Sequence, residues 1–258
     1  MSKAALIAID GMRPDAIALC RNRFLADLIP KSAACLDART VMPSVTLPAF
    51  MSMFHSVEPG RHGITDNVFT PQARPVAGLC EQIRDAGKKS AFFYNWGPLR
   101  DLARPESLAF SYCNSCYHNE DTDAAVAEAA SAYIREAAPD FAFVYLGETD
   151  SAGHGFGWMG ERYLETLSGA IGCVEKVCAA LPESYAVLIA SDHGGHERMH
   201  GTSAPEDMTI PIVAHGKDFR QGNRIRSASI LDIAPTVADI LGIAANAEWE
   251  GRSLRGGQ

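Results

Sequence analysis

Five short apolar runs recur along the chain, at Ala4 to Ile9, Ser90 to Tyr94, Phe141 to Leu146, Tyr185 to Ala190 and Ile210 to Ala214, with helical patterns between them. Runs of this length without a polar face suit strands buried on both sides of a parallel sheet. Thr122 to Ala137 combines a polar start with an alanine-rich interior, Tyr163 to Leu181 has helical apolar spacing, and Ile230 to Leu241 is amphipathic. The alternation predicts an α/β fold, a doubly wound and mostly parallel sheet with helices on both faces. A chain of 258 residues with 47% hydrophobic content can bury a full core and is expected to form a single domain. The stretch from Val68 to Glu120 is richest in Pro, Gly, Tyr and Trp, and part of it could form a lid over the strand ends.

Charge and composition narrow the function classes. A formal charge of -8 and a pI near 5.5 argue against a nucleic-acid surface, which needs a basic face. No apolar run approaches the roughly 20 residues that span a membrane, and the N-terminus lacks a secretory pattern, so a cytoplasmic protein is expected. Seven cysteines form an odd set without framework spacing, which suits reduced thiols better than disulfides. Cys113 and Cys116 form a CxxC with His118 nearby, but no second pair follows at zinc-ribbon spacing, so ordinary packing is the expectation there.

The chemistry-bearing residues stand at the carboxyl ends of the predicted strands, where an open α/β sheet gathers distant groups around one ligand. Asp10 ends the first run and precedes Gly11, which permits a tight turn; Asp before Gly is also common turn chemistry. Asp192 and His193 follow YAVLIAS and precede Gly194 and Gly195, whose flexibility would let both side chains reach one metal. Asp150 and His154 occupy a similar post-strand loop in which Gly153 would help them converge, and His200 follows in ERMHG. Carboxylate and imidazole suit zinc, and also manganese or iron. Thr46 lies just before Pro48, where the helix PAFMSMFHS begins. It reads either as an N-cap or as a nucleophile whose hydroxyl sits among backbone donors that favour phosphate.

Read together, the segments IDG, VTLP, EPGRHGITDN, TDSAGH and SDHGG, in that order, resemble the alkaline phosphatase superfamily and within it the nucleotide pyrophosphatase/phosphodiesterase branch; ILDIAPTVADILGI resembles its closing helix. The resemblance implies that Asp150, His154 and His200 hold one metal and Asp10, Asp192 and His193 the other, with Thr46 bridging as nucleophile. It implies that the amide of Asn67 binds a nonbridging phosphate oxygen. Two divalent ions are expected, zinc first and manganese second. His196, His62 and Arg61 are expected to orient neighbours rather than to ligate, and aromatic side chains at Phe93, Tyr94, Trp96, Phe156 and Trp158 belong to the core or to a leaving-group surface.

The implied function is hydrolysis of a small-molecule phosphate ester through a phospho-threonine intermediate, with a phosphodiester or nucleotide pyrophosphate as first choice. Phosphomonoester or phosphonate hydrolysis is the alternative within the superfamily, and a noncatalytic metal- or nucleotide-binding protein the alternative outside it. A sulfatase is disfavoured because the nucleophile segment lacks Cys/Ser-x-Pro-x-Arg. A phosphomutase is disfavoured because the resemblance there would carry a serine.

Overall fold

The computed structural model describes residues 2–115 and 121–256. Cys116 and His118 lie outside these residues, and with them the CxxC. A seven-stranded sheet runs in the order β2-β7-β6-β1-β5-β3-β4, built from β1 (Lys3–Ile9), β2 (Ala33–Arg39), β3 (Ser90–Tyr94), β4 (Phe110–Cys113), β5 (Phe141–Leu146), β6 (Tyr185–Ala190) and β7 (Thr209–His215). The α-helices are α1 (Phe24–Leu28), α2 (Thr46–His55), α3 (Pro59–His62), α4 (Leu79–Asp85), α5 (Thr122–Ala137), α6 (Glu148–Phe156), α7 (Glu161–Ala180), α8 (Pro205–Met208) and α9 (Ile233–Leu241).

The strand period of two explains why these runs are apolar throughout. In β1, Ala4, Leu6 and Ala8 enter one core while Ala5, Ile7 and Ile9 enter the other. In β5, Phe141, Phe143 and Tyr145 face the first and Ala142, Val144 and Leu146 the second. The first core holds α2, α4 and α9, and the second α5 and α7, which is the doubly wound arrangement expected. Helix α2 is buried along all ten of its residues. Its Phe54 sits edge-on to Phe143 at 4.9 Å and to Phe92 at 5.5 Å, and its Phe50 to Tyr145 at 5.3 Å, so the helix is clamped by aromatic packing across β3 and β5.

Two strands and one strand direction differ from the sequence reading. β7 runs antiparallel to β6 and to β2, although its apolar run looks parallel. β2 and β4 lie at the two edges of the sheet and were not expected. Outward residues of β2 such as Leu36 and Asp37 are exposed, with a register shift between Cys35 and Ala38, and β4 has only four residues. Edge strands bury one side and carry polar residues, so they lack the continuous apolar signature.

The positioning consequence lies at the centre. β6, β1 and β5 are adjacent and parallel, with Ala8 opposite Ala190 and Ile9 opposite Leu146. Three chain segments therefore leave the sheet side by side, at one level, each carrying chemistry.

Candidate metal centre

Asp10, Asp150 and the Asp192–His193 pair emerge from those three strand ends, and His200 arrives on the loop after β6. Two groups form, Asp150 with His154 and His200, and Asp10 with Asp192 and His193; within each, the ligand atoms all lie within 4.8 Å of one another. This is the partition the resemblance implies. The second group is fully buried, while the first is open to solvent at His154.

Each imidazole has its tautomer fixed by the backbone. Nδ1 of His154 donates to the carbonyl of Arg198 at 3.0 Å, Nδ1 of His193 to Gly194 at 2.8 Å, and Nδ1 of His200 to Ser44 at 2.8 Å. A carbonyl can only accept, so in all three rings Nδ1 carries the proton and Nε2 presents a lone pair. Those Nε2 atoms point inward. His154 and His200 bring theirs to 3.1 Å from each other and to 3.5 and 3.6 Å from Asp150 Oδ1. His193 Nε2 lies 3.2 Å from Asp10 Oδ1 and 3.3 Å from Asp192 Oδ2.

The three carboxylate oxygens so faced, Asp10 Oδ1, Asp150 Oδ1 and Asp192 Oδ2, are buried without a hydrogen-bond partner. Converging lone pairs and orphaned carboxylate oxygens repel one another, and a cation is the species that satisfies all of them. The titration behaviour carries the same message. Burial, then the charges of Asp192 and Asp150, push the Asp10 carboxyl well up, and burial raises Asp192 to about 6. Burial lowers His193, and burial with the nearby His193 lowers His200 to about 4. Six donors with three carboxylates fit two divalent ions, and three protein ligands per ion leave positions open for substrate.

Thr46 is the first residue of α2, with Val45 in the extended capping position, so its hydroxyl is not an N-cap. Its Oγ1 lies 3.3 Å from His193 Nε2, beside the buried group. Asn67 Oδ1 accepts the N–H of Leu47 at 2.9 Å. That bond brings the Asn67 amide to the start of α2 and leaves its NH2 as the group free to donate. The remaining predicted neighbours lie elsewhere. Arg61 pairs with Glu248 at 2.5 Å and the Arg74 carbonyl at 2.6 Å, and His62 is buried between Ser52 Oγ and the N–H of Ile64. Tyr94 and Phe93 are core residues, Trp96 packs against the core, and Phe156 is 63% exposed after the His154 turn. His196 donates to Asp207 Oδ1 at 2.7 Å.

Three local readings are corrected. Asp150 and His154 stand on helix α6, one turn apart, and not on a loop. Gly194 and Gly195 are absent from the positive-φ glycines, so their need is space: a Cβ would meet the Glu206 carbonyl oxygen at 2.0 Å and the Trp158 ring at 2.3 Å. Gly153 likewise sits 2.6 Å, at its would-be Cβ, from the Trp158 ring. Gly11, by contrast, does turn the chain with φ +64. Sequence reasoning missed Tyr145, whose hydroxyl donates to Asp10 Oδ2. A lone hydroxyl in the otherwise apolar FAFVYL was the available signal. It also missed Asp207, which accepts from His196, from the N–H of Thr202 at 2.9 Å and from its hydroxyl at 2.7 Å.

Residues 4–202 match the family model for type I phosphodiesterase / nucleotide pyrophosphatase. Among curated proteins, the 2,3-bisphosphoglycerate-independent phosphoglycerate mutase of Moorella thermoacetica is 30% identical over 197 residues, 69% of this chain and 36% of its own length. The enzyme of the same name from Syntrophotalea carbinolica is 32% identical over 96 residues, 35% of this chain and 18% of its own. The chain thus spans about a third or less of these relatives. Murine ectonucleotide pyrophosphatase / phosphodiesterase 5, solved in complex with AMP, superposes with a TM-score of 0.79 at 13% identity, covering 95% of this chain and 96% of that one. The phosphonate monoester hydrolase of Silicibacter pomeroyi superposes at 0.75 and 14% identity, covering 98% and 76%. At such identities the superpositions speak for the fold.

Proposed function

The chain belongs to the type I phosphodiesterase / nucleotide pyrophosphatase family, and from that premise we propose that it is a two-metal phosphodiesterase or nucleotide pyrophosphatase in which Thr46 is the nucleophile. The observation that carries the reading is the placement of Thr46 Oγ1 against the buried Asp10/Asp192/His193 group, with its helix N-terminus tied to Asn67.

Asp150, His154 and His200 would hold one divalent ion and Asp10, Asp192 and His193 the other, zinc by preference and manganese second. When bound, such ions supply a lowered hydroxyl pKa and charge stabilisation of the transferred group. The residues of the chain do the rest. Thr46 Oγ, its proton passing to solvent, attacks phosphorus in line as the P–O bond to the leaving alcohol or phosphate breaks and that oxygen takes up a proton; the esterified phosphoryl group rests on Thr46 until water displaces it and Oγ regains a proton. The NH2 of Asn67 would steady a nonbridging oxygen during both displacements. The backbone carbonyls that hold the three Nδ1–H groups keep every imidazole in its ligating tautomer through the cycle.

A diester is favoured over a monoester. Arg61 is paired with Glu248, and Arg104 is held by the Val76 carbonyl, so neither is placed in the two acidic groups to receive a dianion. Beside the exposed group lies a cavity of about 630 Å³ lined by Gly157, Trp158, Glu197, Arg198 and Met199, with room for a second ester substituent. Exposed Val68 and Phe69 follow Asn67 in a segment without regular structure, and they are the part of 68–120 suited to act as a lid over a single catalytic unit. Thr46 in place of serine favours hydrolysis over the mutase chemistry of the curated relatives. The substrate is a small-molecule phosphate ester, and the cytoplasm is the location in keeping with described cysteines that form no disulfide; no described helix is long and apolar enough to cross a membrane.

Matched nitrophenyl phosphate, phosphodiester, phosphonate and sulfate esters, assayed with zinc or manganese, test this reading, because the leaving group stays constant while charge and second substituent change. The diester is expected to give the highest kcat/KM. A consistent monoester preference with two metals bound would make the protein a phosphatase.

A further inference from the structure

Trp158 is buried at 7% exposure, yet it touches every segment that supplies a metal ligand. Its ring stands edge-on to His154 at 5.1 Å and to His200 at 5.9 Å between centroids. Its Nε1 donates to the carbonyl of Gly11 at 3.0 Å, one residue beyond Asp10, and its own N–H donates to the carbonyl of Glu197 at 2.7 Å. Glycines admit the ring on two sides, Gly153 from α6 and Gly195 from the loop after β6, where a Cβ would penetrate it at 2.6 and 2.3 Å.

We propose that Trp158 is the positioning residue of the solvent-open metal group: it fixes the relative orientation of His154 and His200 and ties that group to the Asp10 turn. His154 stands on a helix and is half exposed, and its hydrogen bond to the Arg198 carbonyl holds Nδ1 but by itself leaves the ring free to pivot about the Nδ1–H axis. The indole edge blocks that pivot. His193, by contrast, is buried and packed face to face on His200 at 3.8 Å, and the indole reaches its group only through the Gly11 carbonyl and Gly195, not through a ligand ring of that group. Removing the indole should therefore weaken the solvent-open group more than the buried one.

The role rests on the two-metal reading, and zinc itself is the probe. Zinc occupancy at each group is followed by anomalous scattering at limiting metal, and zinc affinity by titration of Trp158→Leu, Trp158→Phe and Gly153→Ala. Gly153→Ala leaves every ligand in place and favours the helix, but drives a methyl into the ring. Trp158→Leu and Gly153→Ala are expected to lower zinc affinity at Asp150/His154/His200 by about 10- to 100-fold, with a clearly smaller loss at Asp10/Asp192/His193 and Trp158→Phe intermediate. Tryptophan emission should also respond to zinc in the wild type and lose that response in Trp158→Phe, since the Trp158 ring stands against His154 and His200. Unchanged affinity, or equal weakening of both groups, in variants that keep cooperative unfolding overturns the positioning role while the metals stand. A wild-type chain that binds no zinc removes the two-metal reading and this role together.

Discussion

Three imidazole Nδ1–H groups bonded to three carbonyls decide more of this site than their count suggests, because they determine which nitrogen faces inward. The aspartates and histidines that the fold gathers into two groups were singled out in the sequence by their place after apolar runs and by an order that matches a family. The carbonyl partners at Ser44, Gly194 and Arg198 were not, since a carbonyl belongs to every residue and only the fold chooses one. Thr46→Ala is expected to keep fold and metals and to lower kcat by more than the roughly 10² to 10³ lost with one transition-state donor. Asn67→Ala removes only a donor and should fall within that range. Steady-state kinetics on metal-replete protein measure both, and near-normal turnover of Thr46→Ala removes the nucleophile assignment. His62 offers a test of stability away from the metals. Burial lowers it to about 4, from an ordinary value near 6.5, while it donates to Ser52 and accepts from Ile64. Between those values the unfolded chain binds the proton and the folded one does not, so this contribution is intact above pH 6.5 and lost as pH falls toward 4. Urea midpoints should drop less over that window in His62→Asn than in the wild type.

At the scale of elements, apolar periodicity revealed what is buried twice and little else. β1, β3, β5 and β6 were read nearly to the residue, whereas the edge strands β2 and β4 and the direction of β7 escaped, because they depend on neighbours that the local pattern does not encode. The helix at Asp150 was hidden for another reason. Its sequence ETDSAGHGF is polar, carries two glycines and has weak intrinsic helix propensity; packing of Ala152 and Gly153 against the interior overrides that weakness. The loop from Asp192 to Thr202 is likewise held from outside, by Asp207 at the end of the short α8. Its carboxylate takes three hydrogen bonds, from His196 and twice from Thr202, and its own carbonyl accepts the N–H of Gly194 at 2.9 Å. These bonds hold the Asp207 carboxyl below its ordinary value despite its burial. Asp207→Ala strands the Thr202 donors and frees His196, so a loss of about 1–3 kcal/mol in folding stability is expected, together with weaker metal binding at His200. Chemical denaturation with a parallel zinc titration checks both. Full zinc affinity in a destabilised variant would confine Asp207 to folding.

For the whole molecule, the question is whether the metals hold the fold or the fold holds the metals. Two cores flank the sheet, and neither draws on the ligand set: α2 is clamped by Phe50, Phe54, Phe92 and Phe143, and β1 by residues fully buried on both faces. A chain of 258 residues with such cores has burial to spare, unlike a zinc finger, whose folding free energy is its metal-binding free energy. The candidate ligands stand beyond the carboxyl ends of the central strands, on segments already tied by Tyr145, Trp158 and Asp207. What bound metals would relieve is local, namely the mutual repulsion of Asp10, Asp150 and Asp192 and the facing nitrogens of His154 and His200. Chelation should therefore abolish activity while far-UV circular dichroism and a cooperative thermal transition persist, with a Tm lowered by the lost binding free energy. Zinc returned after chelation should restore activity without a refolding lag. If activity, secondary structure and the thermal transition vanish together on chelation, the metals are part of the core's stability, and the cores named above are insufficient on their own.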